Sequence, residues 1–511
     1  MPDPLNAPTI SFWQDRIPPR VETALSENLT TEVCVLGAGI AGLTTAYLLL
    51  REGRSVIVLD QSTPGNGETA RTTAHLASAI DDRYTELVHR RGHDIARLAG
   101  ESHRAAIDFI ERTAQEEKIE CGFRRVDGYL FAGEGQRPEA LREEFEATRS
   151  VGQPVEWTTQ PPGNLAFLGN CLLFPNQAQF SPLQYLHGLR EAIIRAGGRI
   201  YSDTRALSID EGAELIVRTD REPVVRATHV VVATNTPFND RIAMHTKLYP
   251  YQTYAIAASV PAGRVPHALY WDDLDPYHYV RLTAGGVGYD TLIVGGEDHK
   301  TGQQPHPNDA FENLEKWARA RFPGMGTVTH RWSGEVEETL DGLAYIGRNP
   351  PSRANVYLIT GDSGMGMTHG TIGGMLITEL IQGRQHPWAE VYDPARKVAS
   401  SFGEYTKENL NVAKQYLDWA KPARGGGGDP AMLKPGEGAV FQRGLHKTAI
   451  HRDSDGTLHE CSAVCPHLGC IVAWNETEHS WDCPCHGSRF TAKGEVFHGP
   501  SQSNLAPVPP T

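Results

Sequence analysis

The stretch from Glu32 to Asp60 constrains the fold of this chain more than any other, because it reads as strand, glycine turn, helix and second strand in one unbroken run. Val33, Cys34, Val35 and Leu36 form a short apolar run with β character, suited to a parallel strand buried on both faces. Gly37, Gly39 and Gly42 follow at G-x-G-x-x-G spacing. The first glycine allows a tight turn, the second lets backbone amides approach a pyrophosphate, and the third lets the helix pack closely on the strand. The pyrophosphate then sits at the helix N-terminus. A helix from Ile40 to Leu50 leads through Gly53 to a second strand, Ser55 to Leu59, which ends in Asp60. An acid there binds a ribose hydroxyl pair. The loop Gly65 to His75 holds three threonines and one arginine among its eleven residues, a composition that suits a phosphate or ribityl chain. Arg71 is the expected phosphate partner, with Thr72 beside it.

A chain of 511 residues exceeds the size at which one core keeps growing, so two or three domains are expected. The net charge of −14, with Lys and Arg scattered, predicts no nucleic-acid partner. Met1 to Arg20 is polar and proline-rich, and no apolar run is long enough to span a bilayer, so a cytoplasmic location without a membrane span is expected. Thiols there stay reduced, and clustered cysteines more often mean metal than disulfide. Within the polar leader, Ser11, Phe12 and Trp13 read as a surface anchor.

Arg83 to Lys118 reads as charged helix, with His89 and His93 four apart on one solvated face. Ser181 and Pro182 read as N-cap and first position of another helix. Ala227 to Thr234 is a second buried strand whose end, Ala233-Thr234, returns to the first sheet. Strand-like segments at Tyr249 to Ser259, Tyr277 to Leu282 and Thr291 to Gly295 predict an inserted antiparallel sheet that carries substrate. A third return, Val356 to Asp362, passes through Gly361-Asp362 and Gly364-Met365-Gly366 into a helix through Leu380. It has no second ribose acid and so completes the first site. Beyond it a charged helical stretch ends in the glycine-rich segment 423–430, a linker that implies separately folding domains. The expected domains are 1–393, a helix and linker at 394–430, and 431–511.

Five of the eight cysteines lie between Cys461 and Cys485, where Cys465-Pro466-His467 and Cys483-Pro484-Cys485-His486 are separated by fifteen residues. Two Cys and two His also make a zinc set, but a zinc finger pairs Cys with Cys and His with His. The C-x-H and C-x-x-H pairing matches a two-iron centre in which one iron keeps two thiolates and the other takes two imidazoles.

The order of motifs over residues 30 to 390 resembles the glycine/D-amino-acid oxidase family of flavoproteins. The resemblance implies FAD in the cradle, with Ala233-Thr234 near it and Gly361-Asp362 at the ribityl and isoalloxazine. Trp332-Ser333-Gly334 through Gly347 resembles the family's segment leading to the flavin. Amino-acid oxidising members often carry an arginine after the glycine equivalent to Gly334, whereas this chain reads Glu335-Val336-Glu337-Glu338. Arg281 is the substitute expected to hold a substrate carboxylate, with Tyr254 and Tyr279 also on the substrate side, and a cationic amine becomes an alternative substrate. The segments Cys465 to Cys470 and Cys483 to Ser488, with Gly499-Pro500, resemble respiratory-type Rieske domains. That resemblance makes Cys465, His467, Cys483 and His486 ligands of a [2Fe-2S] cluster and pairs Cys470 with Cys485 in a disulfide. It also places Ser488 as a hydrogen-bond donor to the cluster and Phe490 where a tyrosine is usual. Cys34, Cys121, Cys171 and Cys461 are left with packing roles.

The expected architecture is therefore α/β: a Rossmann-like FAD domain with an inserted mixed or antiparallel substrate sheet, and a small all-β Rieske domain at the C-terminal end. The expected activity is oxidation of a C–N bond in an amine or amino acid by hydride transfer to FAD, with single electrons leaving through the cluster to an external acceptor. A reductase running in the opposite direction and a redox-sensing carrier are the rivals.

Overall fold

The computed structural model describes residues 9–239, 244–304, 306–350, 352, 355–397, 402–419, 429–444 and 446–508. The apolar run at the start of the cradle extends to Leu29–Leu36 and is paired in parallel on both sides, with Val56–Leu59 and with Val224–Val232. Such pairing buries both faces of the strand, and for this reason it carries an unbroken apolar run. The sheet runs Tyr345–Arg348, Val356–Thr360, Val224–Val232, Leu29–Leu36, Val56–Leu59, Arg199–Tyr201, with a hairpin (Ala206–Asp210, Leu215–Thr219) attached to Val224–Val232. One face is covered by the cradle helix Ile40–Arg51 and by Gly366–Ile381, which pack against each other.

Among the described residues the inserted sheet has nine strands and includes the three expected segments, as Leu248–Pro261, His278–Gly286 and Tyr289–Lys300. Its pairing is mixed, because Leu269–Asp272 runs parallel to Arg124–Phe131. One face packs on the nucleotide domain and the other on the helix Asn308–Arg321, with Tyr254, Ile256, Leu292, Val294 and Phe311 in that second core.

Two local expectations change. The charged helical stretch is broken at Gly92 (φ +81°) into Tyr84–Arg91 and His93–Glu116, so His89 and His93 end one helix and begin the next and share no face. Ser181 precedes the helix Pro182–Arg195 as expected, but its hydroxyl caps no backbone amide and is buried without a partner.

The C-terminal domain consists of a three-stranded sheet (Gly438–Arg443, His446–Arg452, Leu458–Ser462) and a four-stranded one (Ala473–Asn475, Ser480–Asp482, Arg489–Thr491, Val496–His498) around its own small core. The glycine segment 423–428 lies outside the described residues. The glycine-rich composition implied separately folding domains, and hydrogen bonds join the two. Asn475 donates to Gln252 (3.0 Å), Gln61 to the Phe497 carbonyl (2.8 Å) and Gln303 to the Pro484 carbonyl (3.2 Å). No helix among the described residues is long and apolar enough to cross a membrane.

Candidate active site and cluster site

The glycine cradle is built by close approach. Gly37 has φ +102°, and a Cβ there would lie 2.3 Å from the Ala233 carbonyl oxygen. A Cβ on Gly42 would lie 1.8 Å from the carbonyl oxygen of Gly37, so the helix can meet the turn only through glycine. Gly39 is different: its nearest neighbour is Thr69 Oγ1, at 3.1 Å from a built Cβ, and it faces the cavity. Asp60 braces the turn, Oδ2 accepting from the Ala38 amide (2.6 Å) and Oδ1 from Ser62 (2.8 Å), and its burial raises its pKa.

A cavity of about 300 Å³ opens from this turn, at the carboxyl ends of the parallel strands, where α/β sheets bind their ligands. Leu36, Asp60, Ala233, Thr234 and Thr360 stand at those strand ends. Thr72, Asp362, Gly364, Met365 and Gly366 line it as expected, whereas Gly42 and Gly361 lie behind the wall. The spared Cβ space at Gly37 and Gly39, the braced acid at the second strand and the helix N-terminus at Ile40 fit the ADP half of FAD.

Three expected residues are placed otherwise. Arg71 reaches the cavity wall, but its guanidinium donates to the Ser333 and Thr9 carbonyls (2.6 and 2.9 Å) and pairs with Glu478 at 3.2 Å. It joins the two domains and is not offered to a phosphate. Arg281 does not line the cavity: it is buried over Trp13 and donates to the carbonyls of Ala74 (2.6 Å), Phe180 (3.0 Å) and Thr73 (3.2 Å). All three bonds are made by Nη1, and the guanidinium stands behind the cavity wall, out of reach of a substrate carboxylate. Tyr254 is among the residues that line the cavity, but its ring packs on Phe311 and stacks on His299 in the second core, because successive side chains of a strand point to opposite faces. Its neighbour Thr253 faces the cavity and meets the Tyr279 hydroxyl at 2.8 Å. Of the expected substrate-side residues, Tyr279 is the one whose ring stays at the site. The leader anchor is as expected: Phe12 and Trp13 are each 2 % exposed, and Trp13 Nε1 donates to the Thr72 carbonyl (2.7 Å).

The inner wall is acidic, which the sequence pattern did not reveal. Asp81, Asp298 and Asp362 line the cavity with Tyr277 and Tyr279, whose rings lie 5.2 Å apart, and Tyr277 donates to Asp81 (3.1 Å). Burial pushes both Asp298 and Asp362 up to about 7 and raises Asp81 as well. Asp298 Oδ1 is buried and accepts no hydrogen bond. Asp298 reaches this face through the backbone irregularity at Gly296 and Glu297, both at positive φ, which shifts the register against the neighbouring strand.

In the C-terminal domain the Cys465 and Cys483 thiols hydrogen-bond each other, which lowers the first and raises the second. The His467 and His486 rings lie 5.0 Å apart, and His486 Nδ1 is buried without a hydrogen-bond partner. Two facing sulfurs and two facing imidazoles fit the donor set of a Rieske centre. Cys470 and Cys485 are joined in a disulfide, as the resemblance implied. Phe490 is fully buried in this core.

The two sites share a wall. His498 from the C-terminal domain lines the cavity, as do Gly499, Ser501 and Gln502. His498 lies 2.9 Å from Glu335, another lining residue; burial alone would lower its pKa, but the Glu335 carboxylate raises it to about 9. The same carboxylate oxygen, Glu335 Oε1, also approaches the ligand loop, lying 2.8 Å from where a Cβ on Gly487 would stand. The carboxylate run 335–338 was visible in the sequence, but not that one of these acids stands between cavity and cluster loop. His498 lay beside the recognised Gly499-Pro500 and carried no signal of its own.

A dinucleotide cradle whose cavity is closed by a two-thiolate, two-imidazole domain defines an oxidoreductase that joins a flavin to an iron–sulfur cluster. The chain belongs to the FAD dependent oxidoreductase family, whose model matches residues 32–380, and residues 428–509 match the Rieske [2Fe-2S] domain. It is 31% identical over 506 residues to the putative Rieske 2Fe-2S iron-sulfur protein YhfW of Bacillus subtilis, covering 98% of this chain and 97% of that one. It is 26% identical to gamma-glutamylputrescine oxidoreductase of Escherichia coli, over 70% of this chain and 85% of that one. Among solved structures, glycine oxidase from Geobacillus kaustophilus superposes with a TM-score of 0.62 at 19% identity, over 73% of this chain and all of that one. FAD and a [2Fe-2S] cluster are the cofactors these domains imply.

Proposed function

We propose that the protein is a dehydrogenase that oxidises the C–N bond of a cationic amine and passes the electrons singly to an external acceptor. The observation that carries this reading is the acidic inner wall of the cavity. Asp81, Asp298 and Asp362 offer carboxylates and Tyr277 and Tyr279 offer ring faces, both of which favour an ammonium group. An amino-acid substrate needs a cation for its carboxylate, and the basic side chains of the lining are committed elsewhere: Arg71 to Glu478, Arg205 to Gln61 and the Val496 carbonyl, and His498 to Glu335, while Arg281 stands outside the lining.

Gly37, Gly39, Asp60, Thr234 and the Gly364-Met365-Gly366 turn would hold FAD, and Cys465, Cys483, His467 and His486 the cluster. Bound there, FAD supplies a two-electron acceptor for the hydride of the carbon bearing nitrogen, and the cluster supplies a one-electron outlet. The chain's part is to take up the amine as its ammonium against Asp81 and Asp298, to accept one N–H proton on one of these carboxylates so that the neutral amine gives up the hydride, and to exclude bulk water with the His498–Gln502 segment. The oxidised product is an imine, which water hydrolyses to a carbonyl compound and a smaller amine or ammonia. Two electrons leave per turnover, to two equivalents of a one-electron acceptor.

Anaerobic mixing with a panel of monoamines, diamines and amino acids tests this reading. Cationic amines are expected to bleach the flavin first and reduce the cluster second. Bleaching by amino acids alone, or cluster reduction ahead of the flavin by an external donor, would sink it.

A further inference from the structure

His245 precedes the strand Leu248–Pro261 and is 3 % exposed. Its ring belongs to the flavin domain but packs on the other domain's ligands. It stands edge-on to His467 with centroids 4.9 Å apart and to His486 at 5.8 Å, with interplanar angles of 70° and 69°. With the ligand rings themselves 5.0 Å apart, the three imidazoles form one packed triangle.

The chemistry of a Rieske centre makes that edge the consequential one. Two neutral imidazoles in place of two anionic thiolates leave their iron less negative and easier to reduce. An electron held by such a cluster would sit on the imidazole side, where His467 and His486 would be its contact with the surroundings. Among its contacts with the cluster domain, the flavin domain places an aromatic ring on this edge.

We infer that His245 is a positioning residue that couples the two redox groups: its ring fills the space beside the ligand imidazoles, so that electrons cross packed atoms and not a solvent gap. This inference rests on the electron route proposed above. Oxidation of one C–N bond yields two electrons and two protons. The protons go to water, and the electrons cross this contact one at a time, the second after an external one-electron acceptor has removed the first.

The test needs no amine. In anaerobic full-length protein carrying both cofactors, a light pulse with EDTA reduces the flavin. Return of flavin absorbance and growth of the cluster's EPR signal then report transfer between the two. In His245→Ala the expected result is loss of the fast phase, with iron content, flavin content and both midpoint potentials unchanged. His245→Phe, which restores a planar ring, is expected to keep the fast phase. A wild-type rate in His245→Ala overturns the inference, as does a slow His245→Phe that retains both cofactors. Loss of the cluster in both variants also overturns it, because His245 would then be a folding residue. If the wild-type protein shows no transfer, the proposed electron route itself falls; the amine reading is untouched, since no amine takes part.

Discussion

Glu478, in the turn between the strands Ala473–Asn475 and Ser480–Asp482, sits 3.2 Å from the guanidinium of Arg71 with its side chain wholly enclosed. It also accepts from the backbone and hydroxyl of Thr9 and Ser333, so one carboxylate ties together the leader, the cavity loop and the C-terminal domain. Burial acts to raise its pKa, but the charges of Arg71 and Arg489 and the bonds from Ser333 and Thr9 outweigh burial and lower it.

Removing that carboxylate leaves a nearly buried guanidinium unpaired. Glu478→Ala is expected to cost about 3–5 kcal/mol, the usual penalty for breaking a buried pair from one side. Thermal unfolding followed by both flavin fluorescence and cluster circular dichroism checks this; an unchanged midpoint would refute the interdomain role. Because the folded-state pKa lies below the unfolded value of 4.5, the stabilisation is present in full above that value. It is lost as pH falls through the folded pKa, and the variant is expected to lack this acid-side loss.

The cavity should bind cations better as it gains charge. Asp298 and Asp362 are neutral below about 7 and ionised above it. A quaternary ammonium probe, which does not itself titrate, is therefore expected to bind the FAD-loaded protein more tightly as pH rises through about 7, as read by flavin absorbance. Asp362 titrates in the same range, so Asp298→Asn flattens the rise only in part. At high pH that variant should weaken binding by about ten- to a hundredfold, equivalent to roughly 1.5–3 kcal/mol for a charge-assisted contact. PH-independent binding in the unsubstituted protein would count against the acidic site.

Gly39 and Gly42 are expected to fail differently. Gly39→Val adds its side chain on the cavity side at an ordinary backbone φ of −79°, so the protein should fold and lose FAD. Gly42→Val drives its Cβ into the Gly37 carbonyl and should disrupt the turn and lower the melting temperature. Gel filtration with flavin absorbance, beside a melting curve, separates the two outcomes. Equal flavin retention in both would contradict the assignment.

Phe490 fills the core beside the cluster ligands without offering a hydrogen bond. A hydroxyl donated there stabilises the extra negative charge of a reduced cluster, so Phe490→Tyr should raise its midpoint potential within the roughly −150 to +300 mV span of such centres. Protein-film voltammetry of the full chain reads the shift, and a lowered or unchanged potential would refute the hydrogen-bond argument.

Short-range spacing carried everything that was legible in the sequence. Three glycines within six positions and a strand that ends in an acid report the cradle, because turn, helix and strand must close on each other locally. Cys465-Pro466-His467 and Cys483-Pro484-Cys485-His486 report the cluster loops for the same reason: one loop supplies one ligand pair. The period of a strand showed that Tyr254 and Tyr279 lie in a sheet, but not which face of it meets the cavity. Tertiary packing decided that, and it turned Tyr254 away and spent Arg281 on three carbonyls. Arg71 meets Glu478, Glu335 meets His498 and His245 meets His467 across hundreds of residues or between separate cores. No local rule encodes such pairs, because each depends on how whole domains dock. The sequence by itself therefore determined which two redox groups the chain can hold. Only the tertiary structure decided that they share a wall and that an acidic cavity lies on one side of it.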